Sequence, residues 1–434
     1  MTRYISEIRK ICAAHIRGAI AVALAVTSLS AARADDRGGR RQAIWESALQ
    51  GVHGVSDDVT VRNVARVSVA GSDLRVRLGN PYGTAAVHVR AASIGLQWAP
   101  TQPAVVPGSL RGLTFRGKSS VDLPPGEVVY SDPVHLRVGA QQNLVVSLFA
   151  PGAPVNDHTF PAPEINPPGV FIAGVPGDQT MDETGAAFPA TPVIAGDRSA
   201  GWHPGQLLWL DLIDARTEAR GTIVTLGDSI TDGYNVSGGG DRWTDLLAAR
   251  IALLPADEQK AIANAGISGN TVSRQPNPYD PTGQCCGAPA PVRLQRDVLS
   301  VPGVTDVLLL EGTNDLGGGD AAPASSAGQV IAGIREIVDR VHARKLRIIG
   351  ATVLPMCNPA DSDKEANRQR VNAFIRNSGI FDGVIDWDAA MRDPADPTVI
   401  RAEWKNDCYH PNAAGDRVMA RAIDLRLFDL STRR

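Results

Sequence analysis

The sequence predicts an antiparallel β-sandwich of jelly-roll type followed by an α/β domain built on a parallel sheet. Two patterns carry this division. From about residue 43 to 150, apolar and polar residues alternate in short runs broken by turn residues, the signature of a sandwich or barrel. From Gly221 onward, continuous apolar runs alternate with stretches of helical period, which means a parallel sheet covered on both faces. The length of 434 residues also exceeds one typical domain.

In the front part, Val59, Val61, Val67 and Val69 mark strand positions. Leu74-Arg75-Val76-Arg77-Leu78 alternates strictly and stops at Gly79-Asn80-Pro81-Tyr82-Gly83, a cluster of turn formers. Alternation resumes around Val87, Val89 and Ile94, and further strands are expected over residues 112–115, 119–123, 128–131 and 144–150. Residues 151–205 are rich in Pro, Gly and Ala; the runs 170–173 and, just beyond, 207–214 read as strands that finish the sandwich.

In the rear part, residues 222–226, 261–265, 305–311, 346–352 and 383–387 read as strands. Helices are expected over 243–254, 327–344, 367–376 and 413–427; the second places Val330, Ile331, Ile334, Ile337, Val338 and Val341 at i, i+3, i+4 spacing. In such a sheet the site lies at the carboxyl ends of the strands.

Residues 1–34 read as a secretory signal. Arg3, Arg9, Lys10 and Arg17 form a basic start, residues 18–32 are apolar, and Ala32-Arg33-Ala34 fits the small-x-small cleavage pattern. The apolar run is shorter than the ~20 residues of a spanning helix, so no stable membrane insertion is expected. Losing the five basic residues and Glu7 of this segment takes the formal charge from −3 to −7. An acidic chain of this kind lacks the broad basic surface of a nucleic-acid binder. The three expected segments are therefore 1–34 (signal), 35–215 (β-sandwich) and 216–434 (α/β), with a secreted or periplasmic location.

Export leaves Cys285, Cys286, Cys357 and Cys408, an even set in an oxidising compartment. A vicinal Cys285–Cys286 bridge strains the peptide between them, so one of the two is expected to bond Cys357 or Cys408. The spacing lacks the repeated C-x₂-C of structural zinc sites, and no metal is expected.

Four short stretches carry chemistry. Gly227-Asp228-Ser229-Ile230-Thr231-Asp232-Gly233 follows the strand 222–226 and places a serine in a tight turn before a helix, which suits a nucleophile. Asn264-Ala265-Gly266-Ile267-Ser268-Gly269-Asn270-Thr271 closes the next strand with glycines that let amides approach a ligand. Glu311-Gly312-Thr313-Asn314-Asp315 places an Asn amide at a strand end, where it can donate to a developing oxyanion. Asp407-Cys408-Tyr409-His410-Pro411 places Asp and His three apart, so that the carboxylate can accept the ring N–H and leave the other nitrogen free as base. Each stretch alone is also ordinary loop chemistry, and His342, on a predicted helix, reads as structural. Ser237-Gly238-Gly239-Gly240 is not a phosphate-binding loop, since no Lys-Ser/Thr follows.

In this order, GDSIT, ISGNT, GTND and DxxHP, the four resemble the blocks of the SGNH hydrolase superfamily, the GDSL-type esterases and lipases, over about residues 221–430. The resemblance implies a flavodoxin-like three-layer fold. It implies Ser229 as nucleophile, His410 as general base and Asp407 as its orienting carboxylate. The oxyanion hole would be the backbone N–H groups of Ser229 and Gly269 and the side-chain amide of Asn314. Asp228 and Asp315 are expected to brace loops, and no cofactor is implied. Two-domain members resemble carbohydrate esterases, so the expected substrate is an ester with a short acyl group, such as an acetylated polysaccharide. Two alternatives are a lipase or broad small-ester hydrolase, and an inactive carbohydrate-binding protein. The front part offers few rings for sugar stacking: Trp45, Tyr82, Trp98, Tyr130, Trp202 and Trp209.

Overall fold

The computed structural model describes residues 39–159, 169–189, 206–234, 236, 240–273, 286–317 and 324–430. The segment 1–34, Cys285, Trp202 and most of the 237–240 run lie outside the described residues. Residues Arg40–Arg434 form one compact unit.

Five parallel strands follow the apolar runs: β1 (Thr222–Gly227), β2 (Ala261–Gly266), β3 (Val304–Leu310), β4 (Arg347–Ala351) and β5 (Gly383–Ile385). Their order across the sheet is β2-β1-β3-β4-β5, with every pair parallel. This is the flavodoxin-like doubly wound order, whose switch point lies between β1 and β3. The helices are α1 (Ser229–Asp232), α2 (Trp243–Ile251), α3 (Ala290–Leu294), α4 (Thr313–Gly317), α5 (Ala327–Ala343), α6 (Asp363–Asn377), α7 (Trp387–Met391) and α8 (Ala413–Ala422).

The period of two along each strand divides the core between two helical layers. Val224, Leu226, Val307, Leu309 and Ile348 face Ile334, Ile337, Val341 and Val371 of α5 and α6. Ile223, Leu308, Leu310 and Ile349 face Leu247, Ile251, Trp387 and Met419 of α2, α7 and α8. Val330, Ile334, Ile337, Val338 and Val341 of the α5 stripe are buried and Ile331 is half-buried, and Ser326 with Gln329 closes a capping box at the start of the helix.

The N-terminal region is antiparallel and β-rich. One sheet takes Arg40–Glu46, Leu210–Thr217, Ser72–Gly79 and Val128–Tyr130 in that order; a second takes Val170–Ile172, Thr60–Arg66, Asn143–Phe149, Ala91–Leu96 and Arg111–Gly112. Both contribute to one core, with Ile44, Leu74, Val76 and Ile213 from the first sheet and Val61, Ile94, Leu144 and Val146 from the second. A third sheet joins Gln206–Leu208, Pro154–Thr159 and Gly51–Val55. The run 207–214 is thus two strands rather than one, because Trp209 turns the chain with φ 54°.

This region also covers the edge strand of the parallel sheet. Ser47 bridges Asn264 in parallel, and the Ile262 amide donates to Ser68 Oγ at 3.0 Å. Covering an edge strand in this way satisfies its open hydrogen bonds. Among the described residues, no helix is long and apolar enough to cross a membrane.

Candidate active site

Residues predicted from four separate stretches meet at the carboxyl ends of β1, β2 and β3. Ser229 begins α1, and Asp228 caps that helix by accepting from the Ile230 amide at 2.9 Å. Close packing fixes where α1 starts. A Cβ on Gly227 would lie 2.2 Å from Thr231 Oγ1 and 2.7 Å from the Leu310 carbonyl oxygen. Ser229 is 5% exposed.

His410 comes from the far end of the chain. Its Nε2 lies 2.9 Å from Ser229 Oγ, and its Nδ1 lies 2.8 Å from Asp407 Oδ2 and 3.0 Å from Oδ1. Asp407 Oδ1 also accepts from the amides of Tyr409 (2.7 Å) and His410 (2.8 Å), an Asx turn that closes the loop on itself. Burial opposes the charge on Asp407, but the His410 ring and these two amides outweigh it and hold the carboxyl at about 2. An ionised Asp407 accepts a hydrogen bond from Nδ1–H and leaves Nε2 facing Ser229 as an acceptor. The Tyr234 ring stacks on His410, with centroids 4.0 Å apart, and the Tyr234 amide donates to the Ser229 carbonyl at 2.9 Å.

The loops after β2 and β3 are tied together. Asn314 Nδ2 donates to the Asn270 carbonyl at 2.9 Å; an amide nitrogen has two hydrogens, so this bond leaves one for another acceptor. Asp315 accepts from the amides of Val272 (3.0 Å) and Ser273 (2.8 Å), a bracing role. Gly269, at the tip of the loop, has φ 79°, a conformation that suits glycine. Asn270 holds the carbonyls of Cys286 (2.8 Å) and Ala288 (2.9 Å) through Nδ2 and accepts from Arg293 Nε at 2.9 Å. Buried Arg293 also donates to the carbonyls of Ala265 and Gly227, joining the ends of β2 and β1.

Beneath the serine, burial raises Asp228 to about 6, against the pull of the Ile230 amide and the His410 ring. Burial, with Asp228 adding to it, also raises Glu311 well above the ordinary carboxyl range. The Ser229–His410–Asp407 arrangement is one that can activate a hydroxyl.

The expected pairing of Cys285 or Cys286 with Cys357 or Cys408 is overturned: Cys357 is bonded to Cys408. Pairing needs close Cα atoms, and these two lie 5.2 Å apart at a sequence separation of 51. Cys286 is disulfide-bonded as well. His342 pairs with Asp382 at the surface, 3.0 Å away, far from this chemistry in role. Among the described residues, no group of three or more His, Cys, Asp or Glu side chains is placed to hold a metal ion. Sequence reasoning missed Tyr234 and Arg293, because a lone ring or cation without a motif carries no local signal.

The hydrogen-bonded Ser–His–Asp chain thus lies at the carboxyl ends of a doubly wound sheet, where such sheets carry their sites. Residues 225–418, a little under half of the chain, match the model of the GDSL-like Lipase/Acylhydrolase family. No curated protein sequence matches the chain. Among solved structures, it is similar to a catalytic mutant of an acetylxylan esterase from Geobacillus stearothermophilus (21% identity, 50% of this chain and 98% of that one, TM-score 0.39). It is also similar to a GDSL-like lipase from Bacteroides thetaiotaomicron (18% identity, 48% and 89%, TM-score 0.37). A third, an alpha/beta hydrolase from a Lake Arreo metagenome, gives 22% identity over 49% and 98%, with a TM-score of 0.38.

Proposed function

We propose that the chain is a secreted serine ester hydrolase working through Ser229, His410 and Asp407. One observation carries the reading: Ser229 Oγ, His410 and Asp407 form a continuous hydrogen-bonded chain of 2.9 and 2.8 Å. His410 takes the Ser229 proton as Oγ attacks the ester carbonyl. The backbone N–H groups of Ser229 and Gly269 and the free Asn314 amide hydrogen receive the oxyanion, each such donor being worth about 10²–10³ in rate. The tetrahedral intermediate collapses to an acyl-enzyme, and the alcohol leaves with the proton from His410. Water, deprotonated by the same ring, then releases the acid.

The N-terminal pattern and the Cys357–Cys408 bond support export, since disulfides persist in oxidising compartments. We read 35–215 as a jelly-roll-type accessory region before a hydrolase domain at 216–434. That reading, with the resemblance to carbohydrate esterases that carry an N-terminal β-sandwich, supports short acyl groups on carbohydrate as substrate. A complete triad speaks against an inactive binding protein.

The test compares acetyl, butyryl and long-chain aryl esters and acetylated xylan, with Ser229→Ala alongside. The reading expects turnover on short acyl esters that Ser229→Ala abolishes. Equal turnover by the variant would sink the mechanism, and a preference for long chains would replace the carbohydrate reading with a lipase.

A further inference from the structure

The N-terminal β-rich region reaches the proposed oxyanion loop through a buried charge pair. His158 sits on the strand Pro154–Thr159 and is 1% exposed; Asp232 ends α1, three residues after Ser229, and is also 1% exposed. His158 Nε2 lies 3.0 Å from Asp232 Oδ1, and Nδ1 lies 2.7 Å from the Ala48 carbonyl oxygen. Both neighbours accept, so both ring nitrogens carry hydrogen and the ring is cationic. Burial works against that charge, but Asp232 and the Ala48 carbonyl outweigh it and raise the His158 pKa. The second oxygen of Asp232 accepts from Ser268 twice, from its amide at 3.2 Å and its hydroxyl at 2.8 Å. Ser268 is the residue before Gly269.

A second contact acts on the other side of the same loop. Tyr82, from the turn after the strand Ser72–Gly79, accepts from the Ala288 amide through its hydroxyl at 3.1 Å. The Ala288 carbonyl in turn holds Asn270. The loop 268–270 is thus held from both sides by residues of the N-terminal region.

We propose that His158 is a positioning residue for the oxyanion loop: it supplies the cation that orients Asp232, and Asp232 fixes Ser268 and so aims the Gly269 amide. This rests on the proposed esterase reading. The physical reason is the cost of a buried carboxylate. Without His158, Asp232 must draw in water or turn away from Ser268, and the amide beside Ser268 loses its anchor. Donor placement matters in the transition state more than in substrate binding, so the effect falls on kcat rather than KM.

The experiment uses the full chain with His158→Phe, His158→Gln, Ser268→Ala and Ser229→Ala. It measures kcat and KM on an aryl acetate, and amide hydrogen exchange over residues 266–273. Phe keeps a ring and removes both donors, whereas Gln restores one. The expected result is a kcat lower by about tenfold or more in His158→Phe and Ser268→Ala, with KM within about twofold. Exchange at 268–270 quickens in both, and His158→Gln lies between His158→Phe and wild type. Wild-type kcat and unchanged exchange in a folded His158→Phe would overturn the proposal. If that variant does not fold, unchanged values in Ser268→Ala overturn it. If the wild type shows no turnover dependent on Ser229, the esterase reading fails and the exchange data alone decide whether His158 holds the loop.

Discussion

Cys357 and Cys408 are joined by a disulfide, and Cys408 is the immediate neighbour of Asp407. The bond therefore anchors the loop carrying the acid and base of the proposed triad to the segment after β4. Closing a loop of this length stabilises the fold by about 4 kcal/mol in the chain-entropy model. The loop has other supports, since the Asn406 amide donates to the His410 carbonyl at 2.9 Å and Asn406 Nδ2 donates to the Pro411 carbonyl at 3.0 Å. The paired variant Cys357→Ser/Cys408→Ser should accordingly fold, melt lower, and turn over ester severalfold more slowly. Identical melting of variant and wild type would show that the bond does not hold this loop.

Asp407 is held at about 2, so it keeps its charge throughout the range in which an ester hydrolase is assayed. Its pKa lies below the ordinary 3.8, so its stabilising effect is present above that value and disappears only as pH falls through about 2. In Asp407→Asn, the amide oxygen can still accept from the Tyr409 and His410 amides, so the loop keeps its turn. The amide NH₂ then faces His410 Nδ1 and forces the hydrogen onto Nε2, where the base is needed. The expected fall in kcat is about 10³–10⁴ with an unchanged circular dichroism spectrum. A fall of less than tenfold would remove Asp407 from the proposed mechanism.

The parallel sheet was legible because its strands are continuous apolar runs, and the observed bounds of β2, β3 and β4 differ from the expected ones by a residue at each end at most. The last helix is shorter than expected: α8 stops at Ala422, and Asp424 starts a new turn by accepting from the Arg426 amide. The strand Pro154–Thr159 was invisible for a different reason. Its Asn156, Asp157 and His158 are all buried polar residues satisfied by distant partners such as Asn80, Gln206 and Asp232. Hydrophobic alternation cannot report a strand whose inward residues are polar. The members of the Ser–His–Asp chain were each local motifs, but the separation of 181 positions between Ser229 and His410 is closed only by the fold.

Asp228 gives a pH prediction. Its folded value of about 6 lies above the ordinary 3.8, so the folded state holds its proton more tightly. The associated stability is full below 3.8 and is lost as pH rises through about 6, a change on the order of 3 kcal/mol. Asn at this position keeps an oxygen for the Ile230 amide and has no carboxyl to ionise. Denaturant melts of Asp228→Asn and wild type should therefore diverge with pH: little gain for the variant at pH 4, and a gain approaching that figure at pH 7.5. Equal differences at both pH values would show that Asp228 does not titrate in this way.

Gly266 tests whether the contact between β2 and α1 sets the position of the nucleophile. A Cβ there would lie 2.4 Å from the Asp232 backbone nitrogen and 2.8 Å from its Cα, and backbone cannot yield as a side-chain tip can. Gly266→Ala must therefore push α1 away from the end of β2. That movement shifts Ser229 relative to His410 and Asp232 relative to Ser268 together. Overpacking of this kind costs about 1–3 kcal/mol of stability. Misplacement of a reacting group by about an ångström costs on the order of 10² in rate. Gly112→Ala serves as the matched control, since a Cβ there meets nothing within 4 Å. The expected result is a lower melting temperature and a kcat loss near that size for Gly266→Ala, and neither for Gly112→Ala. A Gly266→Ala protein with lowered stability but full kcat would show that α1 can move without disturbing the serine, and would locate the precision of the site in the His410 loop instead.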